Sequence, residues 1–208
     1  MTPGCERLLD HGLDELSIGV DGQARERLLA LLALLHKWNR AYNLTAVRDP
    51  EAMVTRHLLD SASVASAVHG PRLLDVGAGP GLPGLVLAIL DPTLAVTLLD
   101  SNGKKVRFQR QAVLELGLAN VEPVQARVED FSAVPFDQII SRAFASLADF
   151  VTLSDRLLAV DGEWLAMKGP ACEDEASRLP ASVVLGERRR LSVPGDSAVR
   201  HLLHLRRR

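Results

Sequence analysis

Asp75 stands directly before a glycine-rich segment, Gly77-Ala78-Gly79-Pro80-Gly81-Leu82-Pro83-Gly84, in which Gly79, Gly81 and Gly84 satisfy the spacing GxGxxG. A turn of this composition lets backbone approach a ligand closely, and a helix that follows it offers free N–H groups. Pro80 and Pro83 stiffen the turn and remove two N–H donors that a pyrophosphate would need. An acid ahead of the loop and the lost donors favour a nucleoside without phosphates over a dinucleotide. The alternative is a tight turn with no ligand. Further along, Asp100 ends the apolar run Val96–Asp100. A carboxylate there can accept both hydroxyls of a ribose, or can be a plain loop acid or helix cap. Val128-Glu129-Asp130 follows Val121–Gln125. Val128 could offer a planar base an apolar face and a backbone contact, and Glu129 a hydrogen-bond acceptor. Alone, Glu129 reads as a solvated loop residue.

These residues need strands to aim them. Residues 1–70 read as helices only. Asp21 is a plausible N-cap, and Leu28, Leu31, Leu32, Leu35, Trp38 and Tyr42 recur at helical spacing behind it. A second helix is expected from Pro50 towards Val68, ended by His69-Gly70-Pro71. From Arg72 the pattern changes to short buried strands, Leu73–Val76, Val96–Asp100, Val121–Gln125, Phe136–Ser141 and Trp164–Lys168. Helices are expected at Leu85–Leu90, Lys104–Leu116 and Leu147–Val160. Strands and helices alternate along this stretch, which predicts an α/β fold with a doubly wound parallel sheet. Val183–Glu187 and Arg200–Leu205, separated by Pro194-Gly195, read as an antiparallel strand pair closing one sheet edge. The expected division is a helical N-terminal extension over 1–70, packed on a ligand-binding domain over 71–208.

Composition narrows the function classes. The chain has 208 residues, 47% hydrophobic and 24% charged, with 24 basic and 26 acidic side chains. That excludes a disordered chain and a disulfide-stapled miniprotein, and gives no global positive field to draw it onto nucleic acid. Cys5 and Cys172 form no metal spacing, so no metal is expected and a reducing cytoplasm is the default. The longest apolar run, Leu28–Leu35, is too short to cross a bilayer, and no signal-peptide core is seen. A monomer is the default.

The order strand, acid, x, Gly, x, Gly resembles motif I of the class I S-adenosylmethionine-dependent methyltransferases. Trp38-Asn39-Arg40-Ala41-Tyr42-Asn43-Leu44-Thr45-Ala46 and Arg56-His57-Leu58-Leu59-Asp60-Ser61 make the resemblance narrower, as do Asp75–Gly84, Leu98-Leu99-Asp100-Ser101, Ile140–Ser146 and Lys168-Gly169. Together they are similar to the bacterial small-subunit ribosomal RNA methyltransferase G family, also called glucose-inhibited division protein B. The resemblance runs from Leu34 to Gly169; the stretches before Gln23 and after Pro170 match poorly. It implies a Rossmann-like class I methyltransferase fold and transfer of a methyl group from S-adenosyl-L-methionine to N7 of a guanine in 16S rRNA. The implied partner is that RNA within the small ribosomal subunit or its precursor. The family's cofactor contacts fall on Gly77, Leu82, Val128, Glu129 and Arg142; Asp75, Gly79, Asp100 and Ser101 complete the expected cofactor set.

The residues are compatible with that chemistry. Methylation of exocyclic amines usually uses an Asn-Pro-Pro-Tyr-like motif after strand four, where this chain has Ser141-Arg142-Ala143-Phe144. Carbon-5 methylation needs a cysteine nucleophile near strands four or five, and neither cysteine is there. Guanine N7 carries a lone pair and no proton, so no general base is expected, and alignment does most of the work. Arg142 could hold the methionine carboxylate or orient guanine O6; its alternative is a salt bridge at a strand end. Phe144 could stack on the base or pack in the core, and Lys168 could meet phosphate or cap the sheet edge. Asn39 and Asn43 could touch RNA, with helix capping the alternative for Asn43. His57 reads as structural. Lys104 and Lys105, with Arg107 and Arg110, form one basic cluster; residues 178–208 hold eight arginines against Glu187 and Asp196. A nicotinamide-dependent dehydrogenase and a non-catalytic RNA-binding factor are the competing readings; Asp75 and the loop prolines disfavour the first, Asp100 and Arg142 the second.

Overall fold

The computed structural model describes residues 2–142, 144, 146–170 and 172–208. Ala143 and Ala145 of the Ile140–Ser146 segment lie outside the described residues. The helical opening starts with α1 (Pro3–Glu15), capped by Thr2, and α2 (Gly22–Tyr42), whose N-cap Asp21 accepts the Ala24 N–H at 2.7 Å as expected. Asn43 closes α2 in the left-handed region, φ 49°, so its capping reading holds.

The helix expected from Pro50 towards Val68 runs without a break to Ala62 but changes type along its length. It becomes α3 (Pro50–Met53), a π-helical turn (Val54–Leu59), α4 (Asp60–Ala62) and a 3₁₀ turn (Ala65–Ala67). Tertiary packing overrides local periodicity here: Gly12 of α1 lies so close to Leu59 that a Cβ would collide with its side chain. The widened turn also tucks His57 and Asp60 inward, 6% and 2% exposed.

Seven strands form one sheet in the order β3-β2-β1-β4-β5-β7-β6. They are β1 (Arg72–Val76), β2 (Ala95–Asp100), β3 (Val121–Gln125), β4 (Phe136–Ser141), β5 (Leu158–Lys168), β6 (Val183–Val193) and β7 (Asp196–Arg207). The first five run parallel, and β6 and β7 add an antiparallel pair. Helices α5 (Gly84–Leu90), α6 (Gly103–Leu116) and α7 (Leu147–Ser154) make the crossovers, with the short α8 (Cys172–Ala176) after β5. The alternation has one gap: β3 passes to β4 through a turn at 128–130 rather than a helix.

Two further boundaries differ from expectation. The helix expected to reach Val160 stops at Ser154, and β5 begins at Leu158 instead of Trp164. Ser154 Oγ turns back to the Phe150 carbonyl at 2.5 Å and accepts the Trp164 indole N–H at 3.0 Å, while Leu158 pairs with Phe136 of β4. Strand pairing there outweighs the helical preference of Leu157 and Leu158. The terminal strands are also longer than the residues that announce them, because many of their outward positions are polar or arginine.

Side-chain alternation divides the core by face. Leu73, Val96, Leu98, Ile140 and Leu165 pack with Leu9, Leu31, Leu35, Leu85 and Phe108 of the helices on one side. Leu74, Val76, Leu99, Ile139 and Trp164 pack with Phe150 and Val151 of α7 on the other. Sheet strands buried on both faces read as continuous apolar runs, which is why β1 and β2 stand out in the sequence. Among the described residues no helix is long and apolar enough to cross a membrane.

Candidate active site

The chain order reverses between β1, followed outward by β2 and β3, and β4, followed by β5. The crevice at the carboxyl ends beside such a switch point is where ligands bind in open α/β sheets. The loop after β1 is built for close approach. Gly77, Gly79 and Gly81 have φ of 68°, 59° and 86°, and the Gly77 and Ala78 N–H groups donate to the Leu99 carbonyl at 2.8 and 3.1 Å. A Cβ at Gly84 would collide with Leu98 Cδ2, so the last glycine of GxGxxG lets α5 lie against the sheet.

The two acids of this region have different surroundings. Asp100 is 7% exposed; its Oδ2 accepts the Gly79 N–H and its Oδ1 the Asn102 N–H, both at 2.8 Å. Each oxygen keeps a further lone pair, so the same carboxylate that fixes the loop can also accept hydroxyls. Lys105 Nζ lies 4.0 Å from Asp100 Oδ2. Asp75 is fully buried below the loop, with Oδ2 accepting the Gly84 N–H at 2.8 Å. Burial pushes its carboxyl up to about 7 against the opposing pull of that N–H.

A cleft of about 350 Å³ opens over these elements, lined by Gly77, Asp100, Ser101, Val128, Glu129 and Phe144, with Lys105 at its edge. Most of the expected cofactor residues are thus brought together. Gly79 and Leu82 lie behind its wall with Asp75; Leu82 is buried, and the Gly79 N–H is taken by Asp100. The residue types fit a nucleoside: a carboxylate for ribose, an apolar Val128 for a base, and at Gly77 bare backbone in the lining.

Arg142 and Lys168 line a neighbouring cleft of about 320 Å³ instead. The two clefts meet at one strand end, since Lys168 Nζ donates to the carbonyl of Phe144 at 2.8 Å and pairs with Glu175 at 2.8 Å. Arg142 Nη1 lies 3.1 Å from Asp60 Oδ2, so the salt-bridge reading of this residue is realised, with a partner in the N-terminal segment. Phe144 also packs on Phe150 at 5.4 Å between ring centroids. Asn39 is 2% exposed and its amide is committed to the chain itself, donating to the Val47 carbonyl at 3.0 Å and accepting the Thr45 N–H at 2.8 Å. Asn43 accepts from Arg48, and Lys104 is exposed at the start of α6. His57 is held between Thr45 Oγ1 and the Arg56 carbonyl at 2.9 Å each, and burial, aided by the Arg142 charge, lowers it to about 4.

Three residues of the site are given no role by the sequence reading. Gln109, inside α6, is fully buried and donates to the Gly79 carbonyl at 2.8 Å. Arg156 donates through Nη2 to the carbonyls of Val128 and Glu129 at 2.6 and 2.8 Å, clamping the loop that walls the first cleft. Asp60 falls in the Arg56–Ser61 stretch that carries the family resemblance, but nothing in that stretch assigns it a role. Only the fold brings each to the cleft, so no local pattern could reveal them.

Comparison with known proteins agrees with this geometry. The family model described as rRNA small subunit methyltransferase G matches residues 24–203, into the terminal hairpin and well past Gly169, where the motif resemblance ends. Ribosomal RNA small subunit methyltransferase G of Chromohalobacter salexigens is 75% identical over 207 residues, covering 100% of both chains. The protein of that name from Methylococcus capsulatus is 55% identical, over 96% of this chain and 97% of its own. Among solved structures, an S-adenosylmethionine-dependent methyltransferase from Aquifex aeolicus superposes with a TM-score of 0.56 at 19% identity, covering 81% of this chain and 96% of that one. The ribosomal protein L11 methylase of Lactobacillus delbrueckii subsp. bulgaricus gives 0.55 at 17% identity, over 72% and 77%. These two likenesses show the Rossmann-like methyltransferase fold. The sequence matches show more: this chain belongs to the rRNA small subunit methyltransferase G family.

Proposed function

We propose that the chain transfers a methyl group from S-adenosylmethionine to N7 of a guanine in small-subunit ribosomal RNA, acting in the cytoplasm on the small subunit or its precursor. In this reading 71–208 is the cofactor-binding domain and 1–70 an extension packed on it. The observation that carries the reading is the placement of Asp100 in a chain of this family: a buried carboxylate fixed by two backbone N–H groups beside a glycine loop poor in phosphate-binding donors. Asp100 accepts the ribose hydroxyls, Val128 packs on adenine, Glu129 accepts from its edge, and the backbone at Gly77 faces the methionine part. Ser101 and Lys105 stand at the cleft rim.

When bound, the cofactor supplies a methyl on a sulfonium, whose positive charge passes to the imidazole ring of the methylated guanine. The chain's own task is alignment. N7 presents a lone pair, so no side chain has to remove a proton, and holding the acceptor in line behind the methyl supplies most of the rate. Arg142, in the lining of the second cleft, is placed to orient guanine O6, which leaves N7 free. Phe144 and Lys168 border the same junction, and Lys104 and Lys105 offer positive charge to the RNA backbone.

The test is transfer of labelled methyl from S-adenosylmethionine to unmethylated small subunits and to naked RNA, followed by digestion. Labelled 7-methylguanine is expected. Tight binding of S-adenosylhomocysteine with no labelled guanine from either substrate would overturn the reading.

A further inference from the structure

The cleft beside Arg142 holds a charge arrangement that cofactor binding does not require. Asp60, in α4, has a side chain only 3% exposed. Its Oδ2 accepts from Arg142 Nη1 at 3.1 Å, and its Oδ1 lies 2.7 Å from Arg200 Nε, an ion pair without hydrogen-bond geometry. Arg200 Nη2 in turn pairs with Asp196 Oδ2 at 2.9 Å. Arg200 Nη1 is buried and has no acceptor among the described residues. One carboxylate thus holds two guanidiniums that reach it from β7 and from the residue following β4. Both arginines line the cleft, with Met167, Leu191 and Val199 as apolar wall and Lys168 beside them.

An apolar slot edged by fixed N–H donors suits a flat heterocycle carrying a carbonyl oxygen. Charge makes the arrangement more specific. Methylation at N7 leaves the purine cationic, and two nearby guanidiniums would oppose that change. A carboxylate within ion-pair distance of both offsets the opposition without removing their donors, and its fixed position costs no reorganisation during transfer.

We propose that Asp60 is a positioning residue for methyl transfer: it holds Arg142 and Arg200 at the cleft that receives the acceptor guanine, and offsets their charge as the ring becomes cationic. This rests on the guanine-N7 reading above. The N-terminal segment therefore completes the acceptor side of the site through one buried side chain. Removing its charge leaves the cleft more positive, which does not repel RNA phosphate but does oppose the chemical step.

The experiment uses the full chain with Asp60→Asn, Asp60→Glu and Ala198→Trp, the last at an exposed position lining the cleft. Affinity for S-adenosylhomocysteine, kcat and KM on unmethylated small-subunit RNA, and 7-methylguanine in the product are measured for each. Asp60→Asn is expected to bind S-adenosylhomocysteine within twofold of wild type, to lose tenfold or more in kcat, and to show no rise in KM. Asp60→Glu, which keeps the charge, recovers part of kcat. Ala198→Trp raises KM or stops turnover with cofactor affinity retained. The proposal is overturned by a kcat for Asp60→Asn within twofold of wild type, by parallel loss of kcat and cofactor affinity, or by full activity of Ala198→Trp. Should Asp60→Asn fail to fold, Asp60→Glu and Ala198→Trp decide by the same readouts. Absence of 7-methylguanine from wild type itself would instead overturn the underlying reading, so the two failures are distinct.

Discussion

Substitution of Asp100 by alanine separates a ligand-binding carboxylate from a purely structural one. In the free protein the side chain already accepts two backbone N–H groups, from Gly79 and Asn102, each at 2.8 Å. Alanine leaves both donors without that acceptor. Because the residue borders an open cleft, water replaces part of what is lost, and the stability cost is expected to be about 2 kcal/mol rather than the sum of two buried deficits. The substitution therefore has a measurable folding cost beside its effect on binding. The effect on binding is larger. Two ribose hydroxyls donating to an ionised carboxylate are worth about 1.5 kcal/mol each, so their loss weakens cofactor affinity by about 3 kcal/mol, roughly 150-fold. Calorimetric titration with S-adenosylhomocysteine, beside a thermal melt of the same preparation, measures both. A change in affinity below about threefold in a variant that still folds would refute the ribose assignment, whatever happened to the melt.

Three other perturbations test the frame of the site. Gly84→Ala places a Cβ against Leu98 and 3.0 Å from Asp75 Oδ2, so α5 must shift; the overpacking cost is about 2 kcal/mol, read as a melting temperature lower by about 4–8 °C. Arg156→Ala releases the carbonyls of Val128 and Glu129 and should weaken S-adenosylhomocysteine binding about fivefold with a smaller effect on stability; unchanged affinity would show that the loop holds its shape unaided. The third perturbation is pH. Asp75 ionises near 7 in the folded chain against an ordinary value of 3.8, so it holds its proton longer when folded and subtracts stability as pH rises from about 4 to 7. His57, lowered from 6.5 to about 4, does the reverse and adds stability as pH rises through about 4 to 6.5. The two slopes oppose each other in wild type. Asp75→Asn removes one, so denaturant titrations should show the variant gaining on wild type by up to about 1.4 kcal/mol per pH unit between 4 and 7. A gap that does not change with pH would refute the buried-acid assignment.

What can be read from the chain follows from how far each signal reaches along it. The glycine loop, Asp100 and the apolar strands are local patterns, and each sits within a few residues of the structure it specifies; the expected and observed ends of β1 to β4 agree to within a residue for that reason. The α7–β5 junction departs from expectation because its outcome depends on Phe136 pairing with Leu158 and on Trp164 reaching Ser154, contacts made across the sheet. The π turn at Val54–Leu59 is invisible in the sequence for a like cause, since it answers the close approach of α1 at Gly12. At the site, Asp100 and Val128 can be named because strand ends in an α/β sheet converge by topology. Gln109, Arg156 and Asp60 cannot, as each reaches the site from a helix or turn whose rotation the sequence does not state.

That asymmetry follows the division of labour in the site. The first cleft is made by consecutive strand–loop units, so its residues fall in chain order, from Gly77 through Asp100 to Val128, and a pattern can capture them. The second cleft draws Asp60 from before the sheet, Arg142 and Lys168 from its middle and Arg200 from its last strand. It can form only when the chain has closed upon itself. An acceptor pocket of the second kind cannot be moved without moving three segments together. In the proposed reading, selectivity for the acceptor resides where the sequence is least legible, and the ion pairs of Asp60 with Arg142 and Arg200 are the physical link between those segments.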